Sequence, residues 1–193
     1  MPAIRAFIAI ELSAAIQDQL RKVILQLSPA TKAVRWVPPE NIHLTLKFLG
    51  DVDASKILPL QTALKQEAAR RRPFEIQVGS LGAFPSPRRP RVIWIGVQAP
   101  GELAALARGI ETVTVPLGFP TEERAFSPHL TLGRVSQHAS PDEVAELGEL
   151  LSRIRIGELG IAPVEKVCLF RSDLRPTGAV YTAIYQAKLA NAT

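Results

Sequence analysis

From Ile4 to Leu12 both alternate sets of positions are apolar, Phe7 and Ala9 on one side, Ile8 and Ile10 on the other. That pattern predicts a strand buried on two faces. Ser13 then offers an N-cap, and Ile16, Leu20, Val23, Ile24 and Leu27 recur at helical spacing as far as Ser28-Pro29. Arg35 to Val37, before two prolines, reads as a short extended piece. Ile42 to Leu49 alternates as a strand stopped at Gly50. Asp53 is placed to cap a second helix with the stripe Ile57, Leu60, Leu64 and Ala68, closed by Arg70-Arg71-Arg72.

Two strands are predicted next, Phe74 to Phe84 and Arg91 to Gln98, flanking the Pro-rich FPSPRRP as a hairpin with a long exposed tip. Glu102 to about Val113 gives a third helix on Leu103, Leu106, Ala107 and Ile110. A strand begins at His129, because Ser127 before Pro128 is pushed towards extended backbone. Ser140-Pro141-Asp142-Glu143 spells a capping box with proline at the first helical position, followed by Val144, Leu147, Leu151 and Ile154. Strands around Val164 to Phe170 and Ala179 to Leu189, separated by Arg175-Pro176-Thr177-Gly178, complete the chain. Strand pairs interrupt the strand–helix alternation, so the expected class is α+β with helices on one face of antiparallel-rich sheets. Two sheets are expected, in two related lobes of one bilobal domain over residues 1–193.

The candidate chemistry lies in a repeated tetrapeptide. HLTL occurs at His43-Leu44-Thr45-Leu46 and again at His129-Leu130-Thr131-Leu132. On a strand, residues i and i+2 share a face, so His43 with Thr45, and His129 with Thr131, stand opposite their leucines. If the two polar faces meet across a cleft, two imidazoles and two hydroxyls converge. A neutral histidine takes a proton from water, a charged one gives a proton to a departing oxygen, and hydroxyls hold phosphoryl oxygens. That set suits phosphodiester hydrolysis without a metal or other cofactor. The sequence has three histidines, and the motif lacks a second histidine at i+2 or i+4, so a zinc site is the weaker reading. Neither a GxSxG elbow nor a GxxxxGK[ST] loop is present.

Strand parity separates two further residues from this face. His129, Thr131 and Gly133 share one side, so Arg134 joins them only if the strand bulges or ends at Gly133. Phe48 falls with Leu44 and Leu46 on the core side.

Composition leaves this picture standing. Over 193 residues, 47% are hydrophobic and 21% charged, ordinary globular usage. The formal charge is +5 with pI about 9.7, which favours polyanionic partners. Arg70 to Arg72, and Arg88-Arg89 with Arg91, are either phosphate contacts or solvated faces. The single cysteine, Cys168, lies in an apolar run and is read as core, and its being alone fits a reducing compartment, with cytoplasm as the expected location. MPAIRAFIAIEL has none of the features of a signal peptide, and no segment is apolar enough to span a membrane.

The motifs and their surroundings resemble the 2H phosphoesterase superfamily. RAFIAIEL, RWVPPENIHLTLKFLGDV, FSPHLTLGR and GAVYTAIY are similar to its RNA 2',3'-cyclic phosphodiesterase branch, also called 2'-5' RNA ligases. The resemblance implies two lobes about a pseudo-twofold axis and a central groove, and hydrolysis of a terminal 2',3'-cyclic phosphate on RNA to a 2'-phosphate. It implies His43 as proton donor, His129 as proton acceptor, Thr45 and Thr131 as phosphate holders, Arg134 as a further phosphate contact and Phe48 as a base-stacking candidate. The implied partner is RNA ending in a cyclic phosphate, bound by a monomer with no obligate protein partner. Ligation through the same groups and a non-catalytic RNA-end binding module remain as alternatives.

Overall fold

The computed structural model describes residues 3–98, 100–175 and 178–190. Among the described residues nine strands and four α-helices follow in chain order: β1 (Ile4–Glu11), α1 (Ala14–Leu27), β2 (Val34–Trp36), β3 (His43–Val52), α2 (Ile57–Ala68), β4 (Phe74–Ser86), β5 (Arg89–Gln98), α3 (Gly101–Thr114), β6 (His129–Val135), α4 (Pro141–Arg153), β7 (Glu158–Val164), β8 (Lys166–Arg175) and β9 (Gly178–Lys188). The helix starts are where local chemistry puts them. Ser13 accepts from the Ile16 amide at 3.4 Å, and Ser140 and Glu143 exchange both capping-box bonds at 3.2 and 2.7 Å. Asp53 caps a short 3-10 turn, Ala54–Lys56, that leads into α2.

Every strand pair is antiparallel, in the order β7-β4-β5-β6-β3-β1-β8-β9, with β2 added to β6. The α+β expectation holds, and the two expected sheets are the four-strand halves of one curled path. Its halves run β7-β4-β5-β6 and β9-β8-β1-β3, and they meet where Leu44 of β3 partners Leu130 of β6. The leucines of both motifs are buried in a core that spans the halves, together with the helical stripes Leu20, Leu27, Leu60, Leu64, Leu103, Ile110, Leu147 and Leu151.

Two parts of the chain depart from expectation. FPSPRRP does not form a long tip: β4 and β5 continue through it, Pro85 pairing with Pro90 and Ser86 with Arg89, so only Pro87 and Arg88 turn. Proline survives there because the strand ends have few ladder bonds to lose. β7 was not expected at all. Gly160 and Pro163 make it read as a connection, but it pairs with β4 on one side only, and an edge strand tolerates both residues. Of the predicted turn before β9, Pro176 and Thr177 lie outside the described residues.

Candidate active site

β1 explains why its sequence is apolar on both faces. Ala6, Ile8 and Ile10 enter the main core, whereas Phe7 and Ala9 join Cys168 and Phe170 of β8 in a second small cluster on the opposite face. From that second cluster Phe7, with Tyr181 packed beside it, lines a groove of about 440 Å³, which His43, Thr45, His129 and Thr131 also line together. The two motifs therefore meet, with their leucines below and their polar residues above.

Each histidine is oriented by the residue two before it. His43 Nδ1 lies 2.8 Å from the Asn41 carbonyl, and His129 Nδ1 lies 2.7 Å from the Ser127 carbonyl. A carbonyl oxygen only accepts, so Nδ1–H donates in both rings, which leaves Nε2 as the free nitrogen. The short Pro39–Asn41 turn fixes the first carbonyl, and the Asn41 amide group donates back to the Ala179 carbonyl of β9 at 3.3 Å. Ser127-Pro128 serves the second motif.

The rings are walled by aromatics. Phe7 stacks on His43 at 4.6 Å between centroids, and Tyr181 meets it edge-on at 5.1 Å. His129 meets Phe84 edge-on at 5.0 Å, with Trp94 behind at 6.4 Å. Burial among these rings lowers the pKa of His43 below the ordinary imidazole value, against the Asn41 hydrogen bond, which raises it.

Arg134 and Phe48 both line the groove, and one structural device brings both there. In β6, Thr131 pairs with Trp94 and Gly133 with Ile93, which leaves Leu132 unmatched. In β3, Thr45 pairs with Ala9 and Lys47 with Ile8, which leaves Leu46 unmatched. A bulge after each motif threonine buries two successive residues and shifts the parity by one. Arg134 thus reaches the groove by the break that parity required. The core-side expectation for Phe48 is corrected by the same means: it is 60% exposed and faces the groove.

Lys47, the second residue of the β3 bulge, is only 2% exposed. Its ammonium pairs with the Glu111 carboxylate of α3 and donates to the Pro120 carbonyl at 2.7 Å, fastening the segment that leads to the second motif. The basic clusters do not line the groove. Arg71 is held by buried Glu67 at 2.6 Å, and Arg88 sits against α4. Cys168 is buried, its thiol pushed up to about 12 chiefly by burial, which suits core and not a nucleophile. Among the described residues no three His, Cys, Asp or Glu side chains gather as a metal's ligands would, and no helix is long and apolar enough to cross a membrane.

The family model described as LigT like Phosphoesterase matches the chain twice, over residues 10–94 and 95–181, once for each HLTL motif. The chain belongs to the LigT-like phosphoesterase family. Each match draws strands from both halves of the sheet path: β3 and β4 lie in the first match, β6, β7 and β8 in the second. A curated family relative from Methanothermobacter thermautotrophicus, named RNA 2',3'-cyclic phosphodiesterase, is 37% identical over 93% of this chain and 95% of its own. One of the same name from Aquifex aeolicus is 31% identical over 95% and 96%. Among solved structures, TT0787 of Thermus thermophilus matches with a TM-score of 0.82 and 28% identity, covering 98% of this chain and 100% of that one. E. coli LigT complexed with 3'-AMP matches with a TM-score of 0.74 and 28% identity, covering 97% and 98%.

Sequence reasoning missed the aromatic walls, Phe7, Phe84, Trp94 and Tyr181. The alternation of Phe7 and Ala9 against Ile8 and Ile10 carried the signal for the first, since a strand apolar on both sides needs a second surface to cover. For Phe84 and Tyr181 nothing local distinguishes a site wall from core.

Proposed function

We propose that this protein hydrolyses the terminal 2',3'-cyclic phosphate of RNA to a 2'-phosphate by two-histidine acid–base chemistry. One observation carries the proposal: two imidazoles, each fixed at Nδ1 by a carbonyl, offer their free Nε2 atoms to the same small groove. The relatives named for this activity, similar along almost the whole chain, support the choice of substrate.

In the proposed reaction His129 Nε2 accepts a proton from the water that attacks phosphorus. The bond from phosphorus to the 3' oxygen breaks, and His43 Nε2–H supplies that oxygen with its proton. The product carries a 2'-phosphomonoester and a 3'-hydroxyl. Thr45, Thr131 and Arg134 hold the non-bridging oxygens, where such donors contribute on the order of 10²–10³ in rate. Burial suits His43 to its role. An imidazolium in a desolvated, ring-lined site is a stronger acid than one in water, and a bound phosphodiester anion offsets the cost of charging it.

The test is turnover of an oligoribonucleotide ending in a 2',3'-cyclic phosphate by chelator-treated protein. The expected product is the 2'-phosphate, with loss of about 10²–10⁴ in kcat for His43→Ala and for His129→Ala. Turnover that survives either substitution, or that requires an added divalent metal, overturns the mechanism. Joining of the cyclic end to a 5'-hydroxyl RNA in place of hydrolysis would identify ligation as the reaction.

A further inference from the structure

The groove opens in three directions, and their charges differ. Past Tyr181 it adjoins a cavity of about 450 Å³ whose charged residues are Glu11, Glu40, Glu165 and Lys166. Lys166 is taken up by Glu11 at 2.6 Å, so this mouth is acidic. Past Phe48 and Gly50 the charged residues are Glu122, Glu123 and Arg124. The third mouth, a cavity of about 640 Å³ between β2 and the β8–β9 hairpin, is lined by Arg35, Arg134 and Arg175, and by Tyr181, with no carboxylate among the described residues.

These arginines are placed as an anion site would need them. Arg35 and Arg134 are direct cross-strand partners, an arrangement that is unfavourable for like charges unless an anion lies between or beside them. The Arg35 guanidinium reaches across the cleft to Gly178, which pairs with Arg175 at the end of the hairpin; Arg35 Nη2 is 3.7 Å from where a Cβ on Gly178 would stand. Among the described residues none of the three forms an ion pair, whereas Arg71, Arg153 and Arg171 all do.

We propose that the RNA strand upstream of the cyclic phosphate leaves the groove through the cleft between β2 and the β8–β9 hairpin, its backbone phosphates on Arg35 and Arg175. This rests on the hydrolase reading above and adds the path of the substrate. A cyclic phosphate occupies the 3' end, so only one direction of strand has to be accommodated. Each upstream phosphate meets repulsion at the Glu40–Glu165 mouth and at the Glu122–Glu123 mouth, but two or three fork-shaped cations here.

The experiment compares cytidine 2',3'-cyclic phosphate with di- and tetraribonucleotides carrying the same cyclic end. In the wild type kcat/KM is expected to rise about tenfold or more with length, through KM. In Arg35→Ala/Arg175→Ala that rise falls below about threefold, and the dependence of log KM on log salt becomes shallower by about 0.7 per arginine removed. A second variant, Glu165→Ala at the acidic mouth, leaves the length dependence as it was. The path is wrong if the double arginine variant keeps the wild-type length dependence, or if Glu165→Ala changes it more. Failure to hydrolyse any of the substrates, the mononucleotide included, counts against the hydrolase reading alone. The path is then decided by fluorescence anisotropy of a 5'-labelled tetraribonucleotide ending in a 2'-phosphate: tenfold weaker binding by the arginine variant supports it, and equal binding overturns it.

Discussion

Leu44 of β3 is the Cα partner of Leu130 of β6, and each is the second residue of its HLTL motif. Antiparallel pairing at that point centres the pseudo-twofold axis on the two leucines, so the histidine of one strand lies towards the threonine of the other. Beyond this pair the strands diverge, and the space they leave on the polar side is the groove. Both leucines are essentially fully buried. Leu44→Ala is therefore expected to cost about 2–5 kcal/mol in urea unfolding, with a fall in kcat in the protein that remains folded.

The roles of the histidines can be separated by the leaving group. A nitrophenoxide departs without a proton, so the general acid becomes dispensable on a nitrophenyl phosphodiester, while the base that activates water does not. His43→Ala should retain turnover of such a substrate to within about tenfold of wild type, although it loses the cyclic phosphate activity. His129→Ala should lose both. The reverse pattern would exchange acid and base.

Burial of His43 also links its charge to stability. Its folded pKa lies below the unfolded value, about 6.5, so its contribution is fully present above that value and is lost as pH falls through the lowered folded pKa. The slope from one such group is at most about 1.4 kcal/mol per pH unit. His43→Gln, which cannot be protonated there, should therefore lose less Tm than wild type between pH 7.5 and 5. Parallel Tm curves for the two proteins would show that His43 is not buried as described.

These outcomes bear on how much the sequence disclosed. The two HxT pairs and their shared face were legible because strand periodicity is fixed at two and both motifs obey it from the histidine to the threonine. Parity then failed at the next residue in each strand. A bulge depends on what the neighbouring strand offers, β1 for Leu46 and β5 for Leu132, and those registers are set by tertiary packing. The same limit hid β7, whose glycine and proline are acceptable only because one of its edges is unpaired. Lys47 was unreadable for a related reason. A lysine between apolar residues on a strand looks like a solvent-facing position, and only the bulge turns it inward to Glu111.

Lys47 supports the second motif from the strand of the first. Removing one partner of a buried ion pair leaves the other uncompensated, and here the Pro120 carbonyl also loses its donor. Lys47→Met is expected to destabilise by about 3 kcal/mol in denaturant unfolding. Adding Glu111→Gln to that variant should recover part of the loss. A loss in the double variant equal to the sum of the losses in Lys47→Met and Glu111→Gln would show that the pair contributes no coupling.

Gly133 tests whether the bulge in β6 aims Arg134. A Cβ at this position would lie 2.6 Å from Val34 Cγ1, 3.1 Å from the Arg35 carbonyl oxygen and 3.1 Å from Trp36 Cε3, so β2 packs against the hydrogen face of the glycine. An alanine forces β2 away or flattens the bulge, and either movement turns the guanidinium that follows it. Gly133→Ala should raise KM for the cyclic phosphate by about tenfold, close to the effect of Arg134→Ala, since a misdirected charge-assisted contact is worth little more than a missing one. The double variant Gly133→Ala/Arg134→Ala should then be no worse than Arg134→Ala alone, because both changes remove one interaction. Additive losses in kcat/KM would mean that Gly133 supports the site by some route other than the placement of Arg134.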